Sequence, residues 1–171
     1  MKAVVIYESM FGDNQQVARA IAAGLVAAGV DAEAVEVGVA PTTIAAVDLL
    51  IVGSPNHAWS MPRQSTREDA ATKTEDPLVS QGIGVREWLD TATLRSGQPV
   101  AAYDTRGSHP KAVVKFDHAS TSIEKALVRL GGKCAAPAEH FLVADMKGPL
   151  EPGEIEHAQA WGSSLGRQLL S

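Results

Sequence analysis

The chain has 171 residues, 45% of them hydrophobic, which is ample for one domain with a single core. Lys and Arg number 15 against 20 Asp and Glu, for a net charge of −5 with the signs interspersed, which argues against nucleic acid and anionic membranes as partners. The single cysteine, Cys134, excludes an intrachain disulfide and a thiolate cluster, and the short apolar run after Lys2 is neither a signal h-region nor a membrane span, so a cytoplasmic protein is expected.

In chain order, the continuous apolar run at residues 3–7 predicts a strand buried on both faces. Val17, Ile21, Leu25 and Ala28 recur at helical spacing, and Gly29 stops the pattern. Residues 32–37 alternate like an edge strand, and residues 49–53 are again continuously apolar. Residues 54–81 then break the rhythm with a long polar connection. Val85, Trp88, Leu89 and Ala92 predict a helix, residues 100–103 a strand, and Ile123, Ala126, Leu127 and Leu130 a further helix. That helix is opened by a capping-box pattern at 121–124 and closed by Gly131-Gly132. A strand at 141–144 and a helix from Pro152 through Ile155, Ala158, Trp161, Leu165 and Leu169 complete the chain. Trp88 and Trp161 fall on apolar stripes and are expected in the core, as is Cys134.

Strands alternating with helices predict a five-stranded parallel sheet covered on both faces, because parallel neighbours need crossovers. Ligands of such sheets bind beyond the carboxyl ends of the strands, which selects the loops at 8–14, 54–63 and 104–110. In the first loop the N–H groups of Gly12, Asp13, Asn14 and Gln15, with the Ser9 hydroxyl, describe either an anion cradle or an ordinary turn capped by Asp13 or Asn14. Neither a P-loop nor GxGxxG is present. Ser54, His57 and Asp48 lack a nucleophile elbow, and His118, His140 and His157 lack metal-ligand spacing. Trp59 on an exposed loop is a stacking candidate for a flat heterocycle.

The stretch "VVIYESMFGDNQQVARAIAAGL" resembles the start of a flavodoxin, whose phosphate loop reads Ser/Thr-x-Thr-Gly-x-Thr after the first strand. "DLLIVGSPNHAWSMPR" is similar to that family's third strand and first flavin loop, and "VAAYDTRG" to its fourth strand and second flavin loop. The resemblance spans the whole chain and implies a single short-chain flavodoxin-like domain over 1–171, an α/β/α sandwich of strand order 2-1-3-4-5 with an unsplit fifth strand. It implies FMN as cofactor, with electron transfer to a redox partner protein or a small-molecule donor or acceptor. Ser9, Met10, Phe11, Gly12, Asp13, Asn14 and Gln15 would hold the phosphate. Ser54, Pro55, Asn56, His57, Ala58 and Trp59, with Asp104, Thr105, Arg106 and Gly107, would hold the ring. Arg106 or His109 would stand where many flavodoxins stack a Tyr, and the absence of Gly from residues 56–60 implies weak semiquinone stabilisation.

The departures leave two other readings open. Phe11 and Asn14 replace threonines and Asp13 replaces Asn, so hydroxyl and amide donors are missing. An ionised Asp13 about 5 Å from a phosphate would repel it by several kcal/mol at an effective dielectric of about 20, unless the side chain turns outward into water. A flavin-dependent NAD(P)H, quinone or protoporphyrinogen-type oxidoreductase, with residues 61–81 as part of a substrate pocket or lid, is one alternative. A flavodoxin-fold binding module with a degraded FMN site is the other.

Overall fold

The elements in chain order are β1 (Lys2–Tyr7), α1 (Asp13–Ala27), β2 (Asp31–Glu36), β3 (Thr43–Ile44), β4 (Leu49–Pro55), α2 (Gln64–Ala71), α3 (Val85–Thr91), β5 (Thr93–Leu94), β6 (Pro99–Gly107), α4 (Ala119–Arg129), β7 (Lys133–Cys134), β8 (Glu139–Val143) and α5 (Glu154–Leu170). The computed structural model describes residues 1–108 and 118–171. The main sheet is parallel in the order β2-β1-β4-β6, with β7 and β8 both pairing the outer edge of β6. This is the expected 2-1-3-4-5 order.

The fifth strand is interrupted. Residues 135–138 bulge between β7, which pairs with Pro99 and Val100, and β8, which starts opposite Tyr103. Pro137 within the bulge has no N–H to donate to a ladder. The bulge leaves Cys134 exposed, contrary to the buried position expected for it. A two-stranded patch, β3 with β5, was not signalled by any periodicity because each strand has only two residues.

Successive side chains of a strand point to opposite faces, so each apolar run feeds two cores. Val5, Tyr7, Ile51, Ala101, Tyr103 and Phe141 meet α1 and α5 on one face. Ile6, Leu50, Val52, Val100 and Ala102 meet Trp88 of α3 and Ile123 and Leu127 of α4 on the other. Trp88 is wholly buried, and the half-buried Trp161 packs edge-on to Tyr103 and Phe141. α1 and α5 approach closely at glycines: a methyl on Gly24 would run into the Gln159 carbonyl, and one on Gly162 into that of Ile21.

Two local expectations are corrected. α4 starts at Ala119, so the 121–124 capping box does not form; the Asp104 carboxylate of β6 instead accepts the Ser120 N–H at 2.8 Å. Within the segment expected to be an unstructured polar connection, residues 64–71 form α2. Its buried positions are Arg67 and Ala70, so no apolar stripe announces it. Among the described residues no helix is long and apolar enough to cross a membrane.

Candidate functional site

β1, β4, β6 and β8 all end at one edge of the sheet, and the loops that leave them converge there. A cavity of about 190 Å³ is lined by Ser9, Met10, Phe11, Asp13 and Asn14 from the first loop, Pro55–His57 from the second and Thr105–Gly107 from the third. A fourth loop, Val143–Met146, closes it. A second cavity of about 220 Å³ shares Phe11, Asn56, His57 and Met146 with the first and is walled by Thr66, Asp69, Ala70 and Lys73 of and beside α2.

The first loop is held from behind. Ser9 N–H donates to Ser80 Oγ at 3.0 Å, and the Ser80 and Val79 N–H groups donate back to the carbonyls of Ser9 and Met10. Gly12 takes a left-handed φ of 105° at the start of α1, which an L side chain rarely adopts. Its N–H donates to Ser9 Oγ at 3.1 Å. Asn14 is buried between helix and sheet: its amide donates to Thr105 Oγ1 at 3.2 Å and accepts the Tyr103 hydroxyl at 2.9 Å. Gln15 donates to the Tyr7 hydroxyl at 2.9 Å. These two side chains therefore brace α1 against the sheet. Among the described residues the N–H groups of Asn14 and Gln15 meet no acceptor, since intrahelical bonding begins with Gln16 N–H to Gly12.

Asp13 is partly buried at the cavity and is not turned fully outward. Its carboxylate lies against Gly148, and the residue lines the cavity. Partial burial raises its pKa, against the opposing pull of the nearby backbone of Asp13 and Leu150. A carboxylate thus sits at the helix N-terminus, where the dipole favours it.

Immediately before this loop, Glu8 is fully buried at the end of β1. Its carboxyl accepts the Val85 N–H at 2.8 Å and faces Arg67 at 3.5 Å, while Arg67 makes its closer bond, 2.9 Å, to Glu87. Burial, opposed by the Val85 bond and the Arg67 charge, pushes the Glu8 pKa up to about 7. Gly84 is required here, because a methyl would meet both the Arg67 guanidinium and the Glu8 carboxyl.

In the second loop, Ser54 is buried and donates to the Pro55 carbonyl at 3.3 Å, away from the cavity. Asn56 N–H donates to the Thr105 carbonyl at 2.8 Å, tying the second and third loops. The side-chain Nδ2 and Oδ1 of Asn56 are buried, and among the described residues neither has a partner. His57 sits at the junction of the two cavities, where burial and the charges of Lys73 and Arg67 lower its pKa and keep it neutral. His57 and Ser60 exchange N–H···O bonds across a tight turn that puts Ala58 and Trp59 at φ of 47° and 63°. Trp59 is 58% exposed at the tip and lines neither cavity, so it is not placed to stack on a ligand in them.

In the third loop, Asp104 and Arg106 point to the α4 side of the sheet. They pair through Nε–Oδ1 at 2.8 Å and a second bond from Nη2, and Arg106 also reaches Ser120. Arg106 is therefore held as a strut and is not free to stand over a ring. His109 lies outside the described residues.

No family model and no curated protein matches the chain in sequence. Solved structures do match. An archaeal flavodoxin aligns over all of both chains with a TM-score of 0.68 and 16% identity. Oxidised flavodoxin 1 from Bacillus cereus gives 0.68 and 16% over 96% of this chain and 97% of its own. A short-chain flavodoxin associated with a non-canonical PDU bacterial microcompartment gives 0.63 and 18% over 99% of each.

The chain has the flavodoxin fold.

Of the residues selected on the flavodoxin resemblance, the structure brings Ser9, Met10, Phe11, Asp13, Asn14, Pro55, Asn56, His57, Thr105, Arg106 and Gly107 to one cavity. Ala58 lines the second cavity, and Gly12, Gln15, Ser54, Trp59 and Asp104 line neither. The loop Val143–Met146 was missed; the α2 wall falls within residues 61–81, anticipated only as part of a substrate pocket or lid. The former carried a legible signal: it leaves the carboxyl end of a parallel strand and leads into the turn-rich "KGPLEPG", so the rule that selected the other three loops applies to it as well.

Proposed function

We propose that this chain binds a flavin non-covalently in the paired cavities at the carboxyl edge of its sheet and carries electrons through it. The observation that carries this reading is Asn56. A buried amide whose Nδ2 and Oδ1 meet no partner among the described residues is costly unless a ligand completes it, and the pyrimidine edge of an isoalloxazine presents complementary donors and acceptors. Phe11, Pro55, Val143 and Met146 supply apolar contact for a flat ring. The two cavities together approach the size range of sites for cofactor-sized ligands. Ser9 and the Asn14 N–H would receive the ribityl end, and Asn56, His57 and the Thr105–Gly107 backbone would receive the ring.

When bound, the flavin supplies the one- and two-electron chemistry. The chain's residues orient it and exclude water, and neutral His57 adds no charge beside it. FMN is the cofactor the fold suggests. The ring end of the site suits it, whereas the phosphate end carries Asp13 and does not.

Titration of the purified chain with flavin at neutral pH, followed by flavin fluorescence, tests the proposal. Saturable quenching with Kd below about 10 μM is expected. Emission unchanged up to several hundred micromolar chain would overturn it. A second reading, a flavin-dependent reductase, draws on the cavity between His57 and α2 as a place for a small acceptor. Steady NAD(P)H or quinone turnover by the flavin-loaded chain would favour it over a carrier.

A further inference from the structure

The loop that should receive a phosphate already contains its own anion. Of the N–H groups at the start of α1, that of Gly12 is taken by Ser9 Oγ. Asn14, which stands at a threonine position of the motif, spends its side chain on Thr105 and Tyr103. Asp13 lines the cavity, its carboxylate lying against Gly148. Asp145 lines the same cavity, adding a second acidic side chain. On the cationic side, the Arg106 guanidinium is engaged by Asp104, and Lys73 stands in the neighbouring cavity, bonded to Asp69 at 2.6 Å.

We infer that Asp13 makes this site select a flavin without a terminal phosphate, of the riboflavin type, over FMN. The inference rests on the flavin reading above and narrows its ligand. A neutral ribityl hydroxyl can donate to the Asp13 carboxylate, whereas a phosphate near its dianionic form has no proton to give and is repelled by it. The helix dipole offers little compensation, because the intramolecular carboxylate already occupies its positive end.

The test is a pair of fluorescence titrations at pH 8, riboflavin and FMN, on the full chain and on the isosteric variant Asp13→Asn, with circular dichroism to verify that the variant is folded. For the natural chain we expect riboflavin to bind about 10- to 100-fold more tightly than FMN, and the variant to shrink that ratio by about tenfold or more. The natural-chain comparison needs no mutant, so a variant that misfolds leaves the preference itself testable. FMN binding as tightly as riboflavin, or more tightly, would overturn the inference while leaving the flavin reading intact. A ratio unchanged in folded Asp13→Asn would overturn the assignment to Asp13. Failure of both flavins to bind either protein would remove the flavin reading and this inference together.

Discussion

Glu8 ties the candidate site to the stability of the whole chain. The unfolded chain ionises this carboxyl near 4.5, whereas the fold holds its proton up to about 7. Between those values the folded state binds more protons than the unfolded state, so raising the pH through the window weakens the fold. Glu8→Gln keeps an acceptor for the Val85 N–H and removes the titration. Urea unfolding should show the natural chain losing roughly 2–3 kcal/mol relative to the variant between pH 4.5 and 7.5. A constant difference across that range would contradict the burial argument. Trp59 offers a second test at this scale. Its φ of 63° strains an L residue and its ring lines neither cavity, so Trp59→Gly should stabilise the chain by about 0.5–1 kcal/mol. Flavin affinity should remain within about threefold; a loss of tenfold or more would return Trp59 to the ring's surroundings.

At the scale of elements, the contact between α1 and α5 depends on glycines whose substitution would push side chains into backbone. Gly162→Ala should cost about 2–3 kcal/mol, read as a lower midpoint in denaturant unfolding with an unchanged slope. Gly53→Ala on β4 should be at least as damaging, since the added methyl would occupy the Tyr103 ring that also anchors Asn14. These contacts separate what a sequence displays from what it conceals. The five main strand positions and α1, α3, α4 and α5 were legible from continuous apolar runs, one alternating stretch and apolar residues recurring at helical spacing. α2 was not, because its buried face is Arg67 and Ala70 and its anchoring partner, Glu8, lies on another element. The start of α4 was misplaced for a similar reason: the group that caps it, Asp104, comes from β6 and not from its own first turn. Within the site, the loops were legible from topology, whereas the roles of individual side chains were not. Asn14 and Gln15 both look available in one dimension, and each is spent on a partner that only the fold brings near.

The molecule as a whole presents four loops at one end of a flavodoxin-fold sheet, with the Glu8–Arg67–Glu87 cluster and the 79–80 strap bracing the first of them. The proposed function depends on a ligand being received at that end. The most direct measurement is an amide chemical-shift footprint of the ¹⁵N-labelled chain during titration with riboflavin. Shifts are expected to concentrate in residues 10–15, 56–60, 105–108 and 143–147, with a new downfield position for the Asn56 side-chain amide as it gains a partner. Shifts centred instead on the groove beside Cys134 and Leu169 at the opposite end of the sheet, or a spectrum that does not change, would contradict the proposed function.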